Sequence, residues 1–587
     1  MTNTNDDFAN GSPSCEATPP RRRSRATIVV LAFAFAFGSL LRAQSEGTTT
    51  AADRFAPFAG GVIRSIEIVA RDVAAAPVDS LNVSAISWAG GIVNSLHVKS
   101  EEATVRKWLL FDVGDVLDTR VVAESERLLR VSGLFRDARV YPYFTPGCKD
   151  SVELVVVTRD RWTTAFPADV SVGGEYASLG IDERNFLGGG DRAAIVGAYN
   201  GDPDIGWGAR ALYDWRNAFG EFVDVRAYVR YDQQTERYSL AVDKPFYTDF
   251  DRYGGGFMVA RDVGAYPIAR GDDLYTFVPY GSITTDAWAG RAFRSLLFPE
   301  ERGVRGMFAV RRVEIQHDAR PLVSPDSNRV FENRVLYLAS VSSARRDYRR
   351  TEYVERFGVV EDAPVGWSLS ITGGKEYGEF ADRYYAAVAG TWAKSVGADA
   401  YVGIDAELSG FRKGARWEQT ALRVSTLYRS ELYRSGEWRA RFFAQTRLLR
   451  GGYRFEEEEI ALNRDAGLRG SVTDFGAKRA TLNLEARVYS PLELWGFKIG
   501  GLAFADFGAV ADEDIETARG YQAFGAGLRV RNESISNAIY RVWVAYNPRV
   551  LPASARSFDV YFSASVVAPW FSIGFGKPSV SPYSTQR

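Results

Sequence analysis

The feature that most constrains this chain is a two-residue alternation of apolar and polar side chains, which recurs from residue 163 to residue 577. Segments 223–232 and 482–489 show it most clearly, with valine, leucine or alanine at every second position and mostly charged or polar residues between them. Alternation with this period gives a β-strand one apolar and one polar face, and such segments of about ten residues are typical of membrane barrels. A soluble sandwich usually has shorter strands whose apolar faces pack inward. The pattern therefore predicts strands that close into a barrel.

The N-terminus adds an apolar run that is slightly too short to cross a bilayer as a helix. Residues 21–25 are mainly arginine, residues 26–41 carry no charge, and a small residue, Ala43, precedes Gln44. This order is typical of a secretory signal peptide, here residues 1–43. We expect cleavage after Ala43; the alternative is an uncleaved N-terminal anchor. No later stretch approaches the roughly 18 apolar residues of a spanning helix, so the mature chain is either soluble in the periplasm or a barrel.

The length of the alternating region sets an expected size for the barrel. At about 25 residues per strand and connection, residues 163–577 supply roughly 16 strands, an even number as in bacterial barrels. The expected fold class is mainly β, an antiparallel transmembrane barrel preceded by a small α/β domain. We expect the last strand to end near residues 571–575 and residues 578–587 to form a C-terminal tail.

Two kinds of connection are predicted between the strands. The longer polar stretches 317–333 and 344–364 are expected to be outward-facing loops. The short segment 200–202, Asn-Gly-Asp, is a turn sequence and is expected on the periplasmic side.

A different pattern precedes the barrel and predicts a periplasmic α/β domain over residues 61–162. Residues 63–68 alternate like a half-buried strand, and two helical patterns follow, the second over residues 119–131. Two more strands complete the order strand, helix, helix, strand, strand. Residues 44–60 are rich in small and polar side chains and are predicted to be a flexible lead-in.

Charge and motifs disfavour several classes of function. The net charge is −1 and no basic block remains after residue 43, so a nucleic-acid partner is not expected. Two histidines cannot form a histidine-rich metal site, and the mature chain has a single cysteine, Cys148. The Gly-x-Ser-x-Gly and His-Glu-x-x-His motifs are missing, and the glycines at 188–190 lack the Lys-Ser/Thr of a phosphate loop. We expect no enzymatic activity, no cofactor and no bound metal.

Four short motifs occur in a fixed order along the chain. They lie at 96–130 in the N-terminal domain and at 180–188, 468–470 and 504–508 in the barrel region. The first resembles the helix pair of a POTRA (polypeptide-transport-associated) domain, and the set resembles the BamA/TamA family of outer-membrane assembly proteins. The resemblance runs from about Gly61 to the end of the chain.

The resemblance implies a set of site residues in the barrel lumen, where a loop arginine of the family meets acids on neighbouring strands. Carried over, these are Leu468, Arg469 and Gly470 in the loop, Asp506 and Glu485 as acidic partners, and Phe504 and Gly508 in the strand motif. Alternation independently places Glu485 on the polar face of its strand, and arginine–carboxylate pairs are strong charge-assisted hydrogen bonds. The loop is either a structural pin or a direct participant in handling substrate.

The chain departs from the family in four respects. Ser471 replaces an aromatic residue, Arg587 replaces a terminal phenylalanine, residues 73–94 are a longer insertion, and one small domain is present where relatives carry several. Arg469 therefore lacks one of the usual neighbours of the loop tip.

The resemblance implies a role in assembling outer-membrane proteins or translocating polypeptides, in the outer membrane with the N-terminal domain in the periplasm. A seam between the first strand, near 170–180, and the last, near 558–575, would admit a substrate strand. Expected partners are outer-membrane lipid, unfolded outer-membrane proteins or a secreted polypeptide, and periplasmic accessory proteins. Two alternatives stay open: a porin-like or partner-specific secretion channel, and a structural barrel.

Overall fold

The computed structural model describes most of the chain from residue 52 onward. The described residues are 52–72, 100–171, 176–201, 206–232, 235–270, 273–295, 303–455, 458–463, 467–470, 472–512, 514–532, 539–549, 556–565 and 571–580. The predicted signal peptide (1–43), the insertion at 73–94 and Ser471 lie outside them. Within these ranges, neither α-helix has the length and apolar character needed to cross a membrane.

The N-terminal domain is a three-stranded sheet packed against one long helix and one short one. Its elements are a 3₁₀ helix (Asp53–Phe58), β1 (Val62–Arg71), α1 (Glu102–Arg106), α2 (Thr119–Val131), β2 (Phe135–Thr145) and β3 (Cys148–Asp160). Strand β3 is central, parallel to β1 and antiparallel to β2. The carboxylate of Asp118 accepts hydrogen bonds from the first backbone N–H groups of α2, which fixes where that helix begins. Val122, Leu128 and Leu129 on α2 are fully buried in the core.

The lead-in is folded where the structure describes it. Phe55, on the 3₁₀ helix Asp53–Phe58, is fully buried in the domain core, and the neighbouring Arg54 forms an ion pair with Glu126. The prediction of a flexible segment over 44–60 is therefore wrong for residues 53–58. Composition averaged over the segment hides the single aromatic side chain whose burial anchors it.

The barrel follows the domain directly. Its segments are β4 (Thr164–Ala165), β5 (Ala168–Ser171), β6 (Tyr176–Phe186), β7 (Asp191–Asn200), β8 (Trp207–Ala218), β9 (Val223–Asp232), β10 (Thr235–Lys244), β11 (Tyr253–Arg270), β12 (Asp273–Arg294), β13 (Arg305–Ala319), β14 (Arg334–Thr351), β15 (Glu361–Gly378), β16 (Asp382–Val396), β17 (Ala400–Lys413), β18 (Arg416–Arg429), β19 (Tyr433–Ser435), β20 (Trp438–Gly452), β23 (Lys478–Leu494), β24 (Phe497–Ala511), β25 (Arg519–Arg531), β26 (Ile539–Tyr546) and β27 (Phe558–Ser565). Between β20 and β23, β21 (Ile460–Leu462) and β22 (Asp474–Gly476) form a separate two-stranded sheet. Two further 3₁₀ helices, Arg329–Phe331 and Ile515–Thr517, lie in loops.

The described strands form a closed antiparallel barrel. Strands β4 and β5 both pair with β6, and β18 and β19 both pair with β20, so each pair of segments acts as one interrupted strand. The barrel accordingly has 20 strands, and the prediction of roughly 16 is too low. The reason is the shortness of the connections: residues 397–399 alone join β16 to β17, and residues 414–415 join β17 to β18.

Side chains alternate between the outer face and the interior of the barrel. On β13 the inward Met307 and Ala309 are fully buried, whereas the outward Phe308 and Val310 are 48% and 44% exposed. The outer wall is therefore covered with exposed apolar side chains, which is the reverse of a soluble protein of this size.

The N-terminal domain packs against one end of the barrel, which we call the domain end; the opposite end is the far end. The hydroxyl of Thr104 donates to the carbonyl of Gly188 in the β6–β7 turn, at 3.0 Å. The amide of Asn217, at the end of β8, donates to the carbonyl of Lys107 at 2.7 Å. Because neighbouring barrel strands are antiparallel, these two contacts fix which end of each strand lies at the domain end.

Two predicted loop directions are incompatible with the prediction that the N-terminal domain is periplasmic. Asn200 ends β7, a strand that begins at the domain end, so this turn lies at the far end and not on the domain side. The stretch 344–364 contains the end of β14, a loop at 352–360 and the start of β15, all at the domain end. Its charged side chains face the domain and the barrel interior, so their density does not indicate an outward loop.

The C-terminal region also differs from the prediction. The last described strand is β27, and residues 571–580 have no strand pairing. Phe571, Ile573 and Phe575 repeat with the period of a strand, which is why the sequence predicts one there. Their side chains instead pack against inward residues of the wall.

Candidate functional site

The loop between β20 and β23 folds back into the barrel interior. Leu462, at the end of β21, and Leu468 are both fully buried. They join one apolar cluster with inward side chains of four neighbouring strands. The wall residues of this cluster are Leu502, Phe504, Val510, Tyr521, Ala523, Trp543, Ala545 and Tyr561. Apolar packing therefore brings the loop tip against the wall before any charged contact is considered.

Arg469, at the loop tip, forms ion pairs with two acids on the wall. Its Nε and Nη2 lie 2.7 and 2.8 Å from the two carboxylate oxygens of Asp506, and its Nη1 lies 2.6 Å from Glu485. The guanidinium also lies 3.7 Å from the ring centre of Phe504, within range of a cation–π interaction. Asp506 is fully buried, so the guanidinium takes the place of solvent around its carboxylate. The arrangement fixes the loop tip in position and direction.

Two glycines permit the close approach of loop and wall. Gly470 has φ +118°, and a Cβ there would lie 1.9 Å from the side-chain oxygen of Asn547. A Cβ on Gly508 would lie 2.9 Å from Leu462. The amide of Asn547 donates to the carbonyl of Arg469 at 3.1 Å, so it is part of the site although no motif points to it.

The structure brings together all seven residues that the resemblance selects, and it adds two asparagines. Besides Asn547, Asn483 donates to Asp506 at 2.8 Å and to the carbonyl of Gly467. A sequence signal for Asn483 exists, because it alternates with Glu485 on the polar face of β23. No sequence signal exists for Asn547, which lies just after β26, far along the chain from the loop motif.

A second loop, residues 352–360 at the domain end, also enters the interior. Glu355 on this loop lies 2.6 Å from Arg487, 2.9 Å from Arg529 and 2.9 Å from Arg541. Although burial alone would raise it, these three guanidinium groups hold the pKa of Glu355 below its ordinary range. Sequence analysis missed this loop because its charges are interpreted equally well as a solvated loop.

The backbone of the 352–360 loop is fixed by a carboxylate and an aromatic contact. The side chain of Glu361 accepts hydrogen bonds from the backbone N–H groups of Val354, Glu355 and Arg356, at 3.0 to 3.1 Å. Phe357 is buried edge-on against Tyr489, with ring centres 5.1 Å apart. These contacts fix the backbone of the loop inside the barrel.

The two loops share one strand, β23. Glu485 contacts Arg469 of the far-end loop and also accepts from Arg487 at 2.5 Å. Arg487 in turn contacts Glu355 of the domain-end loop at 2.6 Å. A continuous series of alternating charges thus runs along the inner wall from one loop to the other.

A third group of charges joins the domain to the barrel. Arg130 on α2 contacts both oxygens of Asp362 at 2.9 Å and Glu126 at 2.6 Å. Glu126 also pairs with Arg54 of the domain and Arg350 of the barrel. Because Glu126, Arg130 and Asp362 are all nearly fully buried, removing one leaves an uncompensated charge at this junction.

The barrel closes along a short seam between β27 and β5. Within the described residues this pairing extends over three residue pairs, against eight between β26 and β27. The pairs are Ser171 with Tyr561, Val170 with Phe562 and Asp169 with Ser563. Counting β4 with β5 and β18 with β19, this is the shortest ladder between neighbouring barrel strands among the residues that the structure describes.

The fold and the site define a class of protein: a closed antiparallel β-barrel with an apolar outer wall, an α/β domain at one end and a loop pinned inside. No protein-family model matches the chain, and no curated protein sequence matches it. Solved structures similar to it include CdiB from Acinetobacter baumannii, with 11% identity, a TM-score of 0.40, and 86% of this chain and 73% of that chain covered. CdiB from Escherichia coli has 10% identity, a TM-score of 0.42 and coverage of 86% and 76%. BamA from Haemophilus ducreyi lacking POTRA domains 1–3 has 11% identity, a TM-score of 0.35 and coverage of 86% and 85%.

Proposed function

We propose that this protein inserts polypeptides into, or translocates them across, the bacterial outer membrane, with the domain end in the periplasm. The exposed apolar outer wall supports a place in a lipid bilayer, since large apolar surfaces are unfavourable in water. We assign the small N-terminal domain the role of a POTRA domain, which its sequence resembles. The activity needs no cofactor, because strand pairing and lipid contact supply the free energy.

The observation that carries the proposal is the short seam between β27 and β5. An edge with few ladder hydrogen bonds leaves backbone N–H and C=O groups available to a further strand. An incoming unfolded chain pairs with such an edge and exchanges one set of backbone hydrogen bonds for another. Opening the three residue pairs described at this seam costs less than opening the longer ladders described elsewhere in the wall.

The domain contributes a second edge for the same kind of recognition. Its sheet has β1 and β2 as edge strands, and at Val140 the β2 edge is covered, because Glu126 accepts from its backbone N–H at 3.0 Å. The start of β1 is covered by residues 114–117, as Ile63 donates to Asp115 at 2.9 Å. The later part of β1 is the edge we assign to a client strand, by β-augmentation.

A secretion channel for a dedicated polypeptide is the second candidate, and the width of the barrel favours it. Barrels of 16 to 18 strands enclose an aqueous channel, and those of 22 strands enclose a lumen large enough to hold a plug. A barrel of 20 strands lies between these sizes. For such a channel, outer-membrane lipid and periplasmic accessory proteins remain partners, and the client passes through the lumen.

The experiment compares client insertion by a protein whose seam is free to open and by one whose seam is closed by a disulfide. Val170→Cys with Phe562→Cys joins β5 to β27, and Val544→Cys with Val560→Cys joins β26 to β27 as the matched control, both in a Cys148→Ser background. Each protein is reconstituted in liposomes and mixed with an unfolded small outer-membrane barrel. We expect the reduced proteins to accelerate folding of the client, and oxidation to abolish this only for the seam pair.

Two outcomes overturn the insertion proposal. One is that the wild-type protein fails to accelerate the client at all. The other is that acceleration persists when the seam is covalently closed. Movement of an unfolded polypeptide into the liposome interior, without insertion and regardless of seam oxidation, supports the channel instead.

A further inference from the structure

The C-terminal segment 571–580 lies inside the barrel, along the inward faces of strands β12 to β17. Ile573 packs with Ala363 of β15 and Tyr401 of β17, near the domain end. Val580 packs with Leu336 at the start of β14 and Tyr385 near the start of β16, both near the far end. The segment therefore runs along the lumen from one end towards the other. Ten extended residues reach about 33 Å, comparable with the thickness of a bilayer core.

Alternate side chains of the segment fit sites on the wall. Phe571 occupies the space left by Gly403, where a Cβ would lie 2.7 Å from its ring. Ile573 is 2% exposed, and Phe575 lies edge-on to Phe246 with ring centres 5.8 Å apart. Ser572 between them is exposed to the lumen. The wall thus recognises an extended chain with apolar residues at every second position.

Charged groups of the wall bind the second half of the segment. Lys577 lies 2.8 Å from Asp286, which is itself 3% exposed and also pairs with Arg311 at 2.7 Å. Arg311 donates to the backbone carbonyl of Pro578 at 2.8 Å. Bonds of this kind to backbone carbonyls hold a peptide without regard to its side chains.

The packing between the segment and the wall of β12 to β17 is incomplete. A cavity of about 220 Å³ lies between it and the wall, bordered by Ser370 and Thr391 on β15 and β16 and by Gly574 and Gly576 of the segment. No strand ladder holds the segment among the described residues. It is therefore bound to one side of the lumen as a ligand is, and not built into the wall.

We propose that residues 571–580 are a resident plug, bound in a site for extended polypeptide on the inner wall of β12 to β17. The ligand class is an unfolded segment with apolar side chains at alternate positions followed by a cation. Passage through the lumen then requires the plug to leave, and a chain of the same pattern competes for its place. This inference concerns the lumen alone and does not depend on how client strands cross the seam.

The first test measures ion conductance of the full chain in planar bilayers. Lys577→Glu places a carboxylate beside Asp286, so we expect a several-fold rise in mean conductance. Lys413→Glu, at the end of β17, changes the net charge equally without touching the segment and is the matched control. Unchanged conductance in a correctly folded Lys577→Glu protein, verified by its heat-modifiable mobility on gels, overturns the proposal.

A second test keeps the proposal falsifiable if the charge variant does not fold. Gly403→Cys with Phe571→Cys, in a Cys148→Ser background, tethers the segment to the wall. Oxidation is expected to suppress the open events that voltage induces, and reduction to restore them. A protein ending at residue 570 is expected to conduct continuously until a peptide of residues 571–580 is added, whereas a scrambled peptide has no effect. Equal conductance in both redox states, or no block by the peptide, overturns the proposal.

Discussion

The far-end loop and the C-terminal segment both lie inside the lumen, and they are held in different ways. The loop tip at 467–470 is fixed on the wall of β23 to β25 by Arg469, whose acidic partner Asp506 is fully buried. The segment 571–580 lies on the wall of β12 to β17, held by alternate apolar side chains and by one ion pair in which Lys577 is 43% exposed. The loop adds a buried, directional ion pair to its apolar packing, whereas the attachment of the tail is mainly apolar.

The difference indicates which of the two can move. A buried ion pair resists separation, because moving either partner away leaves a buried charge without solvent or a counter-charge. Apolar contacts are not directional, and any chain with the same spacing satisfies them about equally well. The loop is thus a permanent part of the wall, whereas the tail is exchangeable.

The largest expected effect follows from removing the loop arginine. Arg469→Ala removes the arginine partner of the fully buried Asp506 and leaves Glu485 with Arg487. We expect the free energy of unfolding to fall by about 3–5 kcal/mol, the range for breaking one side of a buried pair. Urea unfolding in detergent, followed by tryptophan fluorescence, measures this loss.

Arg423→Ala is the matched control for that experiment. Arg423 lies in the same barrel, 3.7 Å from Glu407, but its side chain is 30% exposed. Exposed pairs contribute only about 0–1 kcal/mol, so the control is expected to lose little. Equal losses in the two variants would contradict the view that burial makes the loop attachment permanent.

The second prediction concerns the charges that connect the two loops. Arg487→Met removes the link between Glu485 and Glu355 and leaves both carboxylates short of a partner, at a cost of about 3 kcal/mol. We expect faster amide hydrogen exchange in both 352–360 and 467–470, and no change in 571–580. Faster exchange in the tail as well would show that the two walls are coupled.

The pinned loop could be predicted from the sequence, and the tail could not. Arg469 lies in a short motif, and alternation along β23 fixes the face of Glu485, so local pattern and resemblance select the same residues. The tail repeats apolar residues with the period of a strand, and that period does not tell an outward lipid-facing chain from an inward one.

Neither the number of strands nor the inward position of the 352–360 loop could be predicted from the sequence, and the reasons are related. Barrel size depends on the length of each turn, and turns such as 397–399 carry little signal beyond one glycine. The charges around Glu355 find their partners on β23, β25 and β26, more than a hundred residues away. Only the closed barrel brings these groups together.

The third prediction tests the apolar attachment. Ile573→Ala removes a buried side chain from the tail but nothing from the strand ladders. We expect amide exchange within 571–580 to increase several-fold, while the unfolding free energy of the barrel changes by less than about 1 kcal/mol. Alanine at the neighbouring exposed position of the tail, Ser572→Ala, serves as the control. A loss of barrel stability as large as that of Arg469→Ala would make the tail a structural element like the loop.

The smallest expected effect is a pH dependence confined to the side of the lumen where ion pairs hold the 352–360 loop. The pKa of Glu355 is lowered in the folded protein, since Arg487, Arg529 and Arg541 outweigh the effect of burial. A lowered pKa stabilises the fold at pH values above the unfolded value of about 4.3, and this stabilisation is lost as the pH falls through the folded pKa. We therefore expect the difference in unfolding free energy between wild type and Glu355→Gln to be constant above about pH 6 and to shrink by less than about 1 kcal/mol at pH 4. The difference between wild type and Ile573→Ala in tail exchange, corrected for the intrinsic rate, is expected to stay level over the same range. A difference for Glu355→Gln that grows on acidification would mean that this carboxyl is protonated in the folded loop.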